Sequence, residues 1–319
     1  MLSVLLSVLL IVFVFVSSSH ATCVHGTTLM PRAEGNITLP TWGYDGETGP
    51  INWASMNNNY TACRTGTTQS PIVLTANITY TAEAPKWNLT NVEEADFENL
   101  GSTIEVLLSD GTLEYGGTVY KIKQFHMHTP SEHRINSEYF PLEVHFVHQS
   151  DAGDLAVVGI LFELSEDGTS TKFITSTLTN LHEIVEPATT TKTGPLDFSV
   201  VTQAVADQKI FQYKGSLTTP PCKEGVQFLI LETPMPIDVK SYNAIKRVLK
   251  FNSRFTQNVP GKENLLSLAA DQAGRGSNST GGSGGGRSEE GSAALTEPFV
   301  AKAVIAALLA ALSPYLLLN

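Results

Sequence analysis

Between Gly66 and Gly168 the apolar positions follow no helical period, and short runs rich in β-formers alternate with turn residues. The pattern predicts strands over residues 72–74, 103–108, 118–128, 142–148 and 155–162, with Asp110-Gly111 and Gly116-Gly117 as turn signals. Helices should be few. The clearest runs from Asp238 to Lys250, where Val239, Tyr242, Ile245 and Leu249 recur on one face behind Asp238 as N-cap. A weaker helical pattern covers Lys172 to Leu181, and no repeat of fixed period appears.

The two ends read as addresses. From Leu2 to Val16 only Ser3 and Ser7 interrupt an apolar run, and Ser19-His20-Ala21 fits the small-residue cleavage rule, so residues 1–21 are expected to be a secretory signal peptide. A membrane anchor would need a longer span. N-x-S/T sequons at Asn36, Asn59, Asn77, Asn88 and Asn278 agree with export and are candidate glycosylation sites. Gln272 to Gly291 is almost entirely small and polar, which gives a flexible stalk over 266–294. Phe299 to Leu318 is apolar apart from Lys302, with no Lys or Arg beyond it. Residues 295–319 therefore fit a GPI-attachment signal, with a transmembrane tail as the alternative. Attachment would fall between Asn278 and Ala294, and the expected location is the outer face of the plasma membrane.

The chain has 319 residues, 42% of them apolar, which supports a sizeable core. Twenty Lys plus Arg against thirty-one Asp plus Glu leave a charge of −11, so no basic surface exists for nucleic acid. In an oxidising lumen Cys63 and Cys222 are free to form a structural disulfide. Cys23 is left over, open to remaining a thiol or to linking a dimer.

The chemistry lies in the histidines. Gln124-Phe125-His126-Met127-His128 reads as a strand, and period two puts Gln124, His126 and His128 on one face. Leu142 to His148 reads as the next strand, with Glu143, His145 and Val147 sharing a face. If the two pair antiparallel, His145 completes three imidazoles around one point. Three neutral imidazoles with no fourth protein ligand are what a catalytic Zn²⁺ needs, since water takes the open position. Gln124 and Glu143, each one step back on the same face, are placed to accept the second ring N–H of His126 and His145.

These residues carry a resemblance. Gln-Phe-His-x-His at 124–128, Ser131-Glu132-His133, Glu143-x-His145 and Ser216-Leu217-Thr218-Thr219-Pro220-Pro221 match, in order, motifs of the alpha-class carbonic anhydrases. Trp42-Gly43-Tyr44, Gly49-Pro50, Trp53 and Gln69-Ser70-Pro71-Ile72 match that family's N-terminal stretch. The resemblance spans about residues 40 to 260 and implies one catalytic domain over 38–265. It would be mixed and mainly β, built on a large twisted, mostly antiparallel sheet with a few short peripheral helices. It also implies a secreted or GPI-anchored zinc lyase that interconverts CO₂ and bicarbonate. Thr218 would accept a proton from the attacking hydroxide while donating its own to Glu132, and Thr219 would add a hydroxyl at the bicarbonate position. Val147, Val157, Leu217, Val226 and Phe228 would line the CO₂ pocket. The main-chain carbonyl of Asn252 would orient the second zinc histidine.

The chain departs from the family at three points. Phe228 stands where Trp is usual, Phe255 replaces a Pro, and Ser102 holds the position of a histidine proton shuttle, a role a serine cannot fill near neutral pH. His25 or His182 would be the candidate to substitute for it, and nothing in the sequence places either near the cavity. Two other readings compete. A silent binding ectodomain would be favoured by loss of a zinc histidine, and none is lost; a different zinc hydrolase would need an H-E-x-x-H or a nucleophile elbow, and neither is present.

Overall fold

The fold comes from a computed structural model that describes residues 37–278. The expected signal peptide, the expected C-terminal attachment signal, Cys23, His25 and Asn36 lie outside the described residues. Among the described residues there are thirteen strands: β1 Val73–Leu74, β2 Lys86–Leu89, β3 Asp96–Asn99, β4 Ile104–Leu107, β5 Gly111–Tyr115, β6 Thr118–His128, β7 Arg134–Ile135, β8 Leu142–Ser150, β9 Leu155–Leu164, β10 Thr189–Lys192, β11 Ile210–Ser216, β12 Glu224–Leu231 and β13 Met235–Ile237. Eleven form one sheet with the central order β10-β3-β4-β6-β8-β9-β12-β11; β5 joins β6 and carries β2, and β13 joins β9. The pairings are antiparallel except those of β9 with β12 and β13. The mainly β, mostly antiparallel fold expected from the sequence is the one observed.

The central strands are covered on both faces. On one face Phe125, Met127, Val144, Phe146, Val158 and Ile160 belong to the larger core. On the other, Val147, Val157, Leu161, Val226 and Phe228 build a second cluster. Burial on both sides is why β9 reads as an unbroken apolar run rather than an alternating one. The helices are α1 Trp53–Met56, α2 Ala62–Thr65, α3 Lys172–Thr177, α4 Ser199–Asp207, α5 Val239–Leu249 and α6 Leu265–Asn278. The first face is closed by α3 through Phe173 and Ile174, α4 through Val201 and Val205, and α5 through Ile245. Asp238 caps α5, its carboxylate accepting the Ser241 N–H at 2.9 Å.

Four local features differ from the sequence pattern. Strand β6 carries a bulge at Lys123, because Tyr120 and Ile122 face the same core as Phe125 and Met127. One extra residue is needed to keep both pairs inward. Helix α3 stops at Thr177, where Thr-Ser-Thr are poor helix formers. Helix α4 went unread because its Val-Val-Thr opening favours strand. Helix α6 takes in residues 266–278 of the expected stalk. Its start is fixed by Asn264, whose side chain accepts the Leu266 N–H at 2.9 Å, and Leu-Leu-Ser-Leu-Ala-Ala supplies good helix formers.

Cys63 and Cys222 form a disulfide that ties α2 to the loop between β11 and β12, within a cluster of Trp42, Trp53 and Tyr60. On the far edge of the sheet's middle, Trp87 Nε1 donates to His148 Nε2 at 2.8 Å, and His148 Nδ1 donates to the Phe146 carbonyl at 3.0 Å. The first bond uses Nε2 as an acceptor and so requires the neutral ring, and burial pushes the imidazole down to about 3. The unfolded chain, with a His pKa of about 6.5, takes up this proton first, so the stability His148 confers is present above about pH 6.5 and is lost as the pH falls toward about 3. Denaturant unfolding of the parent and His148→Gln at pH 7 and pH 5 checks this. The variant should lose less stability than the parent between the two; parallel losses would remove His148 from the pH response.

Candidate metal centre

The β6–β8 register sets His126 directly opposite His145, His128 opposite Glu143 and Gln124 opposite Val147. Strand alternation then brings all three histidines to the face away from the larger core. Their ring centroids lie 5.0 Å (His126–His128), 5.3 Å (His126–His145) and 4.8 Å (His128–His145) apart, and all three side chains are buried.

Each ring is held from behind. His126 Nδ1 donates to Gln124 Oε1 at 2.9 Å, His128 Nδ1 to the Asn252 carbonyl at 2.9 Å, and His145 Nε2 to Glu143 Oε1 at 2.6 Å. With those nitrogens protonated, the lone pairs of His126 Nε2, His128 Nε2 and His145 Nδ1 turn inward. One nitrogen from each ring falls within 4.8 Å of the others. Burial holds His126 well below the usual histidine range and lowers His128 to about 4, so both stay neutral, as ligands must. His128 Nε2 is buried with no hydrogen-bond partner. A polar atom kept there without a partner fits a cation at the centre of the three rings.

Glu143 organises the surroundings. Its Oε1 also accepts His133 Nδ1 at 2.7 Å, and its Oε2 accepts the backbone N–H groups of Glu132 and His133, each at 2.8 Å. Burial would raise its pKa, but His133 and His145 outweigh that and hold the carboxyl well below its usual value. Beyond it, Tyr213 donates to His133 Nε2 at 2.6 Å and accepts from Ser70 Oγ at 2.8 Å. Glu132 is oriented separately: its Oε1 accepts the Arg254 backbone N–H at 2.9 Å, and its Oε2 lies 3.5 Å from His128 Nε2. Burial lifts the Glu132 carboxyl to about 7, offset in part by His145 and the Arg254 N–H, and its Oε2 is buried with no hydrogen-bond partner. A cation at the histidines would pull it down again.

Val147, Val157, Leu217, Val226 and Phe228 come together in the second apolar cluster, with the Phe228 ring 6.1 Å from that of His145. Thr219 is half-buried, and its carbonyl accepts the Cys222 N–H at 2.8 Å. Ser102 is buried, and its carbonyl accepts Asn252 Nδ2 at 3.1 Å. His182 is exposed and lines a surface cavity of about 460 Å³ with Leu178, Val185 and Val248. A second cavity, of about 490 Å³, lies beside Tyr115 and Gln212, and neither contains a centre histidine.

Sequence reasoning missed the roles of His133, Tyr213 and Ser70. His133 and Ser70 stood inside recognised motifs without a partner to explain them. Tyr213 is 80 residues from His133 along the chain, and no local pattern marks it.

Comparison with known proteins agrees. The family model described as eukaryotic-type carbonic anhydrase matches residues 48–265. A carbonic anhydrase of Neisseria gonorrhoeae is 37% identical over 217 residues, covering 66% of this chain and 81% of that protein. Alpha carbonic anhydrase 7 of Arabidopsis thaliana is 30% identical over 240 residues, covering 74% and 83%. The solved fungal alpha carbonic anhydrase of Aspergillus oryzae superposes with a TM-score of 0.71 at 41% identity, covering 73% of this chain and 100% of that one. With the family model spanning most of the chain and the histidine centre built as described, the chain belongs to the alpha-class, eukaryotic-type carbonic anhydrases, enzymes that hydrate carbon dioxide.

Proposed function

We propose that the enzyme is a zinc carbonic anhydrase working at the extracellular face of the membrane, with Zn²⁺ held by His126, His128 and His145. The observation that carries the metal is the convergence of three buried ring nitrogens, each ring tied from behind by Gln124, Asn252 or Glu143. A bound zinc supplies a Lewis acid that makes a water nucleophilic near neutral pH, as in this class of enzyme generally.

The chain's own residues do the rest. In this reading the Thr218 hydroxyl turns its proton toward the buried, unpartnered Glu132 Oε2, so its oxygen is left as an acceptor and fixes the direction of the proton on the attacking group. Glu132 is held in place for this by the Arg254 N–H. Val147, Val157, Leu217, Val226 and Phe228 offer an apolar wall for CO₂, and Thr219 is assigned to bicarbonate. Ser102 provides no group that titrates near neutral pH, so protons leave by way of buffer.

Export and a lipid anchor rest on the apolar termini and the sequons. Asn59, Asn77 and Asn88 are exposed and open to glycosylation; Asn278 ends α6. Cys23 is assigned to a free thiol or a disulfide-linked dimer, with Cys63 and Cys222 already paired.

Stopped-flow CO₂ hydration by the secreted chain tests the metal reading. Turnover should vanish on chelation and return with added zinc, whereas a folded, zinc-loaded protein without turnover would overturn it. In the same assay imidazole should raise turnover severalfold over a poorly buffering medium, and a rate indifferent to buffer would place a shuttle group elsewhere in the chain. Phosphatidylinositol-specific phospholipase C should release activity from intact cells; activity that stays with the cells would favour the transmembrane tail.

A further inference from the structure

Strand β6 is longer than its neighbour. Its ladder with β4 pairs Leu107 with Gln124, Val106 with Phe125 and Glu105 with His126, and β4 begins at Ile104. Met127 stands between two of the centre histidines, one step past the last of these pairs. In an antiparallel sheet successive residues turn their backbone groups to alternate neighbours. The N–H and C=O of Met127 point to the β4 side, where the ladder has ended one pair short of Ile104, and a buried backbone group without a partner is costly.

Side chains replace the missing ladder. Thr103 Oγ1 donates to the Met127 carbonyl at 2.6 Å and accepts the Met127 N–H at 3.3 Å, so one hydroxyl serves both backbone groups. Asn252 Nδ2 donates to the same carbonyl at 2.8 Å, and Asn252 Oδ1 accepts the Thr129 N–H at 2.7 Å. Thr103 and Asn252 are both buried. From Met127 to Thr129 the strand edge is therefore held by these two side chains, and Asn252 is occupied with Ser102, Thr129 and His128 as well. Thr103 alone binds both the N–H and the C=O of Met127.

We infer that Thr103 is a positioning residue of the metal centre: its hydroxyl fixes the backbone between His126 and His128 and so sets the spacing of their inward nitrogens. The inference rests on the zinc reading above. Without the hydroxyl, the edge would be free to shift or to admit water at Met127, and a change of a few tenths of an ångström in that peptide is carried to both imidazoles. The effect belongs to metal retention, because the bonds of the Thr103 hydroxyl run to backbone groups.

The test is the rate of zinc loss from the holoenzyme to an excess of a coloured chelator. It compares the parent with Thr103→Val, which keeps the shape and removes the hydroxyl, and Thr103→Ser, which restores it. Thr103→Val should release zinc about 10–100-fold faster, the range found when groups behind metal ligands are removed, and Thr103→Ser should stay close to the parent. Thr103→Ala carries the comparison if the valine does not fold. Zinc release at the parent's rate from a valine or alanine variant whose unfolding midpoint has dropped would make Thr103 a structural residue only and overturn the inference. A parent that takes up no zinc would instead sink the metal reading, and this one with it.

Discussion

A single carboxylate buried in the middle of the sheet, that of Glu143, constrains everything around the metal centre. It is fully buried and ionised, and it accepts from two imidazoles and two backbone N–H groups. A charge in such a place is tolerable only with its hydrogen-bonding capacity filled, and removing one partner of a buried charged network typically costs about 3–5 kcal/mol. The requirement acts in two directions at once. It fixes the tautomer of His145 so that Nδ1 faces the other histidines, and it pins the backbone at Glu132 and His133. The group meant to bind Thr218 and the group meant to bind metal are thus positioned from one atom pair.

The second support reaches the centre from the far end of the chain. Asn252 receives His128 Nδ1 on its carbonyl while its side chain bridges Ser102, Met127 and Thr129. Two residues later, the Arg254 N–H holds Glu132, and its guanidinium donates to the carbonyls of Ser70 and Cys63. Burial lowers the Arg254 pKa to about 10, which leaves it charged at neutral pH. The disulfide partner of Cys63 closes the loop that begins at Thr218, so the cystine, the buried cation and the two catalytic candidates form one connected frame.

Much of this was legible in the sequence because strand alternation is a strict rule. Gln124, His126 and His128 on one face, and Glu143, His145 and Val147 on another, follow from period two alone, and antiparallel pairing brings the two sets together. Asp238 as a cap was legible for the same reason: the signal is local. What was not legible depends on tertiary distance or on a competing local preference. The Lys123 bulge answers to the core, not to the strand itself. Tyr213 and Ser70 are joined to His133 only through the folded sheet. Helix α6 was hidden by the Gly/Ser composition that follows it, although Asn264 and the leucines beside it hold the signal.

The places where this chain departs from its family fall outside that frame. Ser102 contributes its main-chain carbonyl to Asn252, an interaction that any side chain at this position leaves intact. Phe228 contributes apolar area and stacks on Tyr213 at 5.0 Å, and an aromatic ring of another size can do both. Phe255 contributes a carbonyl to Gln257 Nε2 at 2.8 Å, again through the main chain. None of these three side chains supplies a hydrogen bond to the histidines of the centre. The metal centre is specified by groups that cannot be exchanged without leaving a buried partner unsatisfied.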